Sequence, residues 1–134
     1  MAFEWDNSYS VKVAVCDEQH MKLFDIMNEL ANSMRMGKGR EAVEGTLNQL
    51  LEYTQTHFRD EEALLEKTSY PQLAAHQQMH RMFVSKVQSM QTLARSGKRT
   101  SAMQVLQLGR DWLVNHIQKA DKQYSPFLNA AGIF

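Results

Sequence analysis

The stretch from His57 to His80 limits what this chain can fold into more than any other. It reads His57-Phe58-Arg59-Asp60-Glu61, breaks at Tyr70-Pro71, and resumes as His76-Gln77-Gln78-Met79-His80. His57 and Glu61 are four residues apart, as are His76 and His80, and on an α-helix that spacing stacks two side chains on one face about one turn apart. Two helices therefore each offer two metal-type ligands along one line. The same line is apolar: Val43, Leu47, Leu50 and Thr54 lead into His57 by fours and threes, and the rhythm continues through Glu61 to Leu64. Leu73, His76, His80, Phe83, Val87, Met90 and Ala94 repeat it on the next helix. Both ligand pairs thus face the interior of a helical bundle.

The other histidines fall on similar seams. Leu106, Gly109, Leu113, His116 and Ala120 form one, and His20, Phe24, Met27, Ala31 and Met34 form another. Seam positions make up about two in seven of a helix, so four histidines (His57, His76, His80, His116) reach them by chance with a probability of roughly 1% or less.

Residues 1–16 carry Trp5, Tyr9 and the alternation Val11, Val13, Val15 without helical periodicity, which predicts an extended arm packed across the bundle. Helices are predicted over about 17–37, 40–67, 71–95 and 100–124. Asp17 is the expected N-cap of the first, and Gly37-Lys38-Gly39 its stop. Pro71 suits the first turn of the third, Ser96-Gly97-Lys98 ends it, and Pro126 opens a short tail. Short connections between long helices make neighbours antiparallel, so the expected fold is all-α: an up-down-up-down four-helix bundle in one domain spanning 1–134.

Fifteen acidic and fifteen basic residues balance, and no basic run calls for nucleic acid or a membrane surface. No segment approaches the ~18 consecutive apolar residues of a membrane span, and Met1 to Asp6 lack a basic region followed by an apolar block, so no membrane insertion and a cytoplasmic location are expected. The single cysteine, Cys16, has no partner for a disulfide. Phosphate-binding glycine loops and a Gly-x-Ser-x-Gly elbow are absent, which leaves the metal-type ligands as the only chemistry on offer. Asp60, Glu62 and Glu66 read as solvated helix-face charges, the nine methionines as core filler, and Trp112 as bundle packing.

An inward imidazole without a partner costs about 1–3 kcal/mol. Five histidines, Glu61 and Asp121 would burden one small core heavily unless a metal centre satisfied them together. Seven ligands exceed the four of a closed zinc site, and there is no thiolate set. Two octahedral metals bridged by carboxylates use seven ligands well, and imidazole with carboxylate in a helical bundle suits iron.

The series Asp17-Glu18-Gln19-His20, His57 to Glu62, Tyr70-Pro71, His76 to His80, and Trp112-Leu113-Val114-Asn115-His116-Ile117 with Asp121 resembles the hemerythrin family, in particular its prokaryotic single-domain bacteriohemerythrins. The likeness runs from Trp5 to Tyr124. It implies two iron ions per chain: His76, His80 and His116 on one, His20 and His57 on the other, with Glu61, Asp121 and an oxo or hydroxo group as bridges. It also implies reversible binding of dioxygen at the iron with fewer histidines, for storage, delivery or sensing, in a protein that is not an enzyme. Leu113 and Ile117 would line the oxygen pocket, and azide or another small anion would compete there in the oxidised form. The alternatives are a di-iron oxidase or peroxidase, or an iron store or sensor. One spacing stays open: His116 and Asp121 are five apart, about 140° on a regular α-helix. Either Asp121 reaches round from a neighbouring stripe, or the helix widens there as in a π-type bulge.

Overall fold

The chain is described by a computed structural model covering residues 3–97 and 101–134. Its elements are α1 (Ala14–Arg35), α2 (Gly39–Lys67), α3 (Leu73–Arg95), α4 (Ala102–Trp112), a π-helical segment (Leu113–Asp121) and α5 (Lys122–Ala130). No strand occurs among the described residues. Leu113 and Asp121, at the two ends of the π segment, both hold right-handed helical φ/ψ, so α4, the π segment and α5 run as one continuous rod. That rod is the fourth member of a four-helix bundle. α1 packs along α2, α2 along α3, and α4 closes against α1 and α2. No helix among the described residues is long and apolar enough to cross a membrane.

Local chemistry sets the ends of these elements, and several boundaries differ from those read off the sequence. α1 begins three residues before Asp17, because that carboxylate ties down the arm instead of capping the helix. Its Oδ1 accepts the Val11 N–H at 2.8 Å and its Oδ2 the Ser10 hydroxyl at 2.7 Å. The arm is not wholly extended either, since Asn7–Tyr9 form a 3-10 turn capped by the Asp6 side chain. Pro71 lies in the turn ahead of α3, which starts at Leu73. Ser101 caps α4 in a reciprocal capping box with Gln104. The predicted helix start near Thr100, and Lys98 of the preceding connection, lie outside the described residues. Pro126 opens no tail: it sits inside α5, where the helix continues to Ala130.

Two apolar clusters fill the bundle. The larger holds Leu23, Phe24, Met27, Leu47, Leu50, Phe58, Phe83, Leu113 and Ile117, among others. The smaller gathers the arm and the far end of the bundle: Val11, Val13, Cys16, Leu65, Tyr70, Tyr124 and Leu128. Following any rod from one cluster to the other crosses a histidine or carboxylate, as from Phe24 through His20 to Cys16, or from Phe58 through Glu61 to Leu65. A polar layer therefore divides the core. The methionines fill less of it than expected, because Met21, Met36, Met79, Met82 and Met103 are exposed while Met27 is fully buried. Met27 packs where Gly109 leaves room, since a Cβ there would collide with its sulfur.

Candidate metal centre

The polar layer contains all seven residues singled out in the sequence. His20, His57, Glu61, His76, His80, His116 and Asp121 are each at most 3% exposed. α1 supplies His20, α2 the His57/Glu61 pair, α3 the His76/His80 pair, and the π segment carries His116 and Asp121. The π segment resolves the awkward five-residue spacing. Bonding from i to i+5 turns the helix less per residue than α geometry, which brings residues five apart onto one side. His116 Nε2 accordingly lies 2.9 Å from Asp121 Oδ1.

Each carboxylate divides its oxygens between two groups of histidines. Glu61 Oε1 lies 2.7 Å from His76 Nε2 and 3.1 Å from His80 Nε2, while Oε2 lies 3.3 Å from His57 Nε2 and 3.5 Å from His20 Nε2. Asp121 Oδ1 lies 2.9 Å from both His76 and His116, and Oδ2 3.1 Å from His20. Two ligand sets result, one of three histidines and one of two, both including Glu61 and Asp121.

These short distances are mostly not hydrogen bonds. His20 Nε2, His80 Nε2, His116 Nε2 and both Asp121 oxygens are buried with no hydrogen-bond partner, although oxygens and nitrogens surround them at about 3 Å. Such atoms aim past one another toward a shared point. Metal bonds of about 2.1 Å at right angles leave adjacent ligand atoms roughly 3 Å apart, which is the spacing of this shell. The donor set and its orphaned atoms therefore fit a pair of metal ions.

A second ring of contacts holds the imidazoles, and here the sequence reading needs correcting. Glu62 is not a free surface charge, because its Oε2 pairs with His80 Nδ1 at 2.7 Å. Asp60 accepts a 2.8 Å hydrogen bond from Gln19 Nε2, and Gln19 Oε1 in turn pairs with His57 Nδ1 at 2.7 Å. Contacts of this kind fix the tautomer and tilt of a ligating ring. The Tyr124 hydroxyl donates to Glu61 Oε2 at 2.9 Å. Phe58 stacks on His80, and Trp112 on His116, each with ring centroids 3.8 Å apart, so Trp112 packs against a ligand and not only within the bundle. Gln19, Asp60, Glu62 and Tyr124 had one weak signal in the sequence, their position beside a ligand or one turn beyond it.

Electrostatics in the metal-free chain follow from this crowding. Burial pushes His20 and His76 down, but the Asp121 and Glu61 carboxylates outweigh it and leave them at about 9 and about 10. His116 is lowered, chiefly by burial. Burial raises Glu61, yet His57, His20 and His76 together hold it well below the usual carboxylate range. A histidine raised in the fold stabilises it fully below the unfolded value near 6.5, and that contribution is lost as pH rises through the folded value. The metal-free chain is thus expected to lose stability between about pH 6.5 and about pH 10 as His20 and His76 give up their protons. Ligation needs neutral imidazole, so metal affinity should rise over the same interval, with proton release on binding. Thermal midpoints of the metal-free chain and metal affinities, both measured across that interval, should have slopes of opposite sign; slopes of the same sign would contradict the pairing.

Comparison with known proteins agrees with the geometry. The hemerythrin HHE cation binding domain matches residues 11–128. A bacteriohemerythrin of Methylococcus capsulatus is 34% identical over 91% of this chain and 92% of its own length. Myohemerythrin-1 of Phascolopsis gouldii is 30% identical over 91% of each. The crystal structure of a wild-type hemerythrin superposes with a TM-score of 0.84 at 32% identity, covering 96% of this chain and 98% of that one.

Proposed function

Because this chain belongs to the hemerythrin family, we propose that it binds dioxygen reversibly at a non-haem di-iron centre, for oxygen storage, delivery or sensing. In this reading His76, His80 and His116 hold one iron and His20 and His57 the other, while Glu61, Asp121 and an oxo or hydroxo group bridge them. The observation that carries it is the division of each bridging carboxylate between the two histidine groups. Iron held by these residues would supply the reversible electron donation that dioxygen binding needs. The protein supplies the asymmetry. Three histidines with three shared donors would complete six positions on one side, whereas two histidines would leave one position open on the other.

Leu113 and Ile117, 2% and 0% exposed, belong to the larger apolar cluster, and in this reading they would form the dry wall of the pocket. A dry wall keeps protons and water from the site. Charge favours holding oxygen over consuming it. Oxidative di-iron bundles of the ferritin type carry four carboxylates and two histidines, and here two carboxylates face five imidazoles, which support high oxidation states less well. A cytoplasmic setting belongs to the same reading, since Cys16 is buried and unpaired.

The test is the visible spectrum of the reduced, iron-loaded protein before air, after air, and after removal of oxygen, with elemental analysis beside it. A band that appears with oxygen and disappears without it, at two irons per chain, is the expected result. A single zinc per chain, or an irreversible change in air, would sink the proposal.

A further inference from the structure

The two metal positions differ in the rings that cover their histidines. On the three-histidine side Phe58 stacks on His80 and Trp112 on His116, while the Tyr124 ring tilts against His76 with its hydroxyl already bonded to Glu61. On the two-histidine side Phe58 is tilted against His57, and the stacked ring is a phenol. Tyr53 lies one turn before His57 on α2 and stacks on its imidazole, with centroids 5.2 Å and planes 19° apart. Tyr53 is 7% exposed, and its hydroxyl is buried with no hydrogen-bond partner. That is unusual, because a buried phenol ordinarily bonds through its O–H, as Tyr124 does to Glu61. A phenol is an O–H donor at neutral pH, and here that donor lies within electrostatic reach of Glu61 and Asp121. A cleft of about 400 Å³ between α1 and α2, lined by Gln19, Ile26, Tyr53, Thr56 and His57 among others, reaches the same side of the bundle.

We propose that the Tyr53 hydroxyl donates a hydrogen bond to the small ligand taken up at the metal position held by His20 and His57. The inference rests on the di-iron reading above. A small ligand taken up beside His57 would lie next to the imidazole that the Tyr53 ring covers. A small molecule gaining negative charge there is the strong acceptor that the unpaired O–H lacks. The hydroxyl thus selects for anionic or readily polarised ligands over neutral apolar ones of the same size.

The experiment uses the oxidised, iron-loaded protein and azide as the probe. Tyr53→Phe keeps the ring on His57 and removes only the O–H. Azide affinity should fall roughly ten- to hundredfold, as for a lost hydrogen bond to a charged group. The azide stretching frequency should shift, and its sensitivity to H2O/D2O exchange should disappear. The thermal midpoint of the metal-free variant should be unchanged or higher, because an unpaired buried hydroxyl has been removed. A structural role for the hydroxyl predicts the reverse, a lower midpoint with azide affinity and stretch unchanged, and that result overturns the inference. Failure of azide to bind the unsubstituted protein overturns the di-iron reading itself and this inference with it.

Discussion

Glu61→Ala is expected to empty both candidate metal positions at once, leaving well under one iron per chain where the proposed centre of the unsubstituted protein would hold two. Glu61 is the residue whose two oxygens contact four of the five histidines, so its loss removes a donor from both candidate ligand sets and leaves His20, His57, His76 and His80 without their common anion. The Tyr124 hydroxyl loses its acceptor in the same step. Removing one partner of a buried ionic set costs about 3–5 kcal/mol, so the metal-free variant should also melt well below its parent. Loss of metal then removes the binding free energy that contributes to folding. His80→Ala is the informative comparison. It touches only the three-histidine set and should spare binding at the other position. Iron content and thermal midpoints of both variants check the argument, and two irons retained by Glu61→Ala would refute it.

Leu113→Ala separates the two roles given to the pocket wall. Leu113 is 2% exposed and packs in the larger cluster, and truncating such a leucine costs about 2–5 kcal/mol through lost burial and the cavity left behind. That loss is expected whatever the function. The second expectation belongs to the pocket alone: with the wall opened, the oxygen-loaded protein should oxidise irreversibly several times faster. Oxidation at the parental rate in a destabilised variant would leave Leu113 as core packing and nothing more.

The ligands were legible because their spacing coincided with the apolar seam. His57/Glu61 and His76/His80 each suit a metal ion and a helix period with the same four-residue step, so one pattern announces both fold and candidate site. The bundle followed from the same seams and from the short connections. Residues that act through other residues had no such pattern. Glu62 and Asp60 look like any helix-face acid until α3 and α1 bring His80 and Gln19 beside them. No pattern in the sequence marks Tyr53 or Tyr124, and only the three-dimensional accounting of donors and acceptors separates the satisfied hydroxyl from the unsatisfied one. Helix ends went astray where a side chain served tertiary structure instead of a cap, as Asp17 does for the arm. Pro126 misled for a related reason: a proline rules out one backbone donor but does not stop a helix whose next turn is buried, and Leu128 is fully buried.

The π segment can also be viewed as a matter of chain length. Upstream, the inward residues are Leu106, Gly109, Leu113 and His116, in steps of three, four and three; downstream they are Asp121, Tyr124 and Leu128, in steps of three and four. Between the two series stands a step of five, so the fourth rod holds one amino acid more than an unbroken heptad phase would use, the sequence equivalent of a skip. A chain shorter by one residue between His116 and Asp121 would place the same two ligands four apart on an ordinary α-helix, with the tyrosine and leucine beyond them still facing inward. At this point in the bundle, unlike elsewhere along its helices, a single-residue deletion preserves the phase of everything that follows.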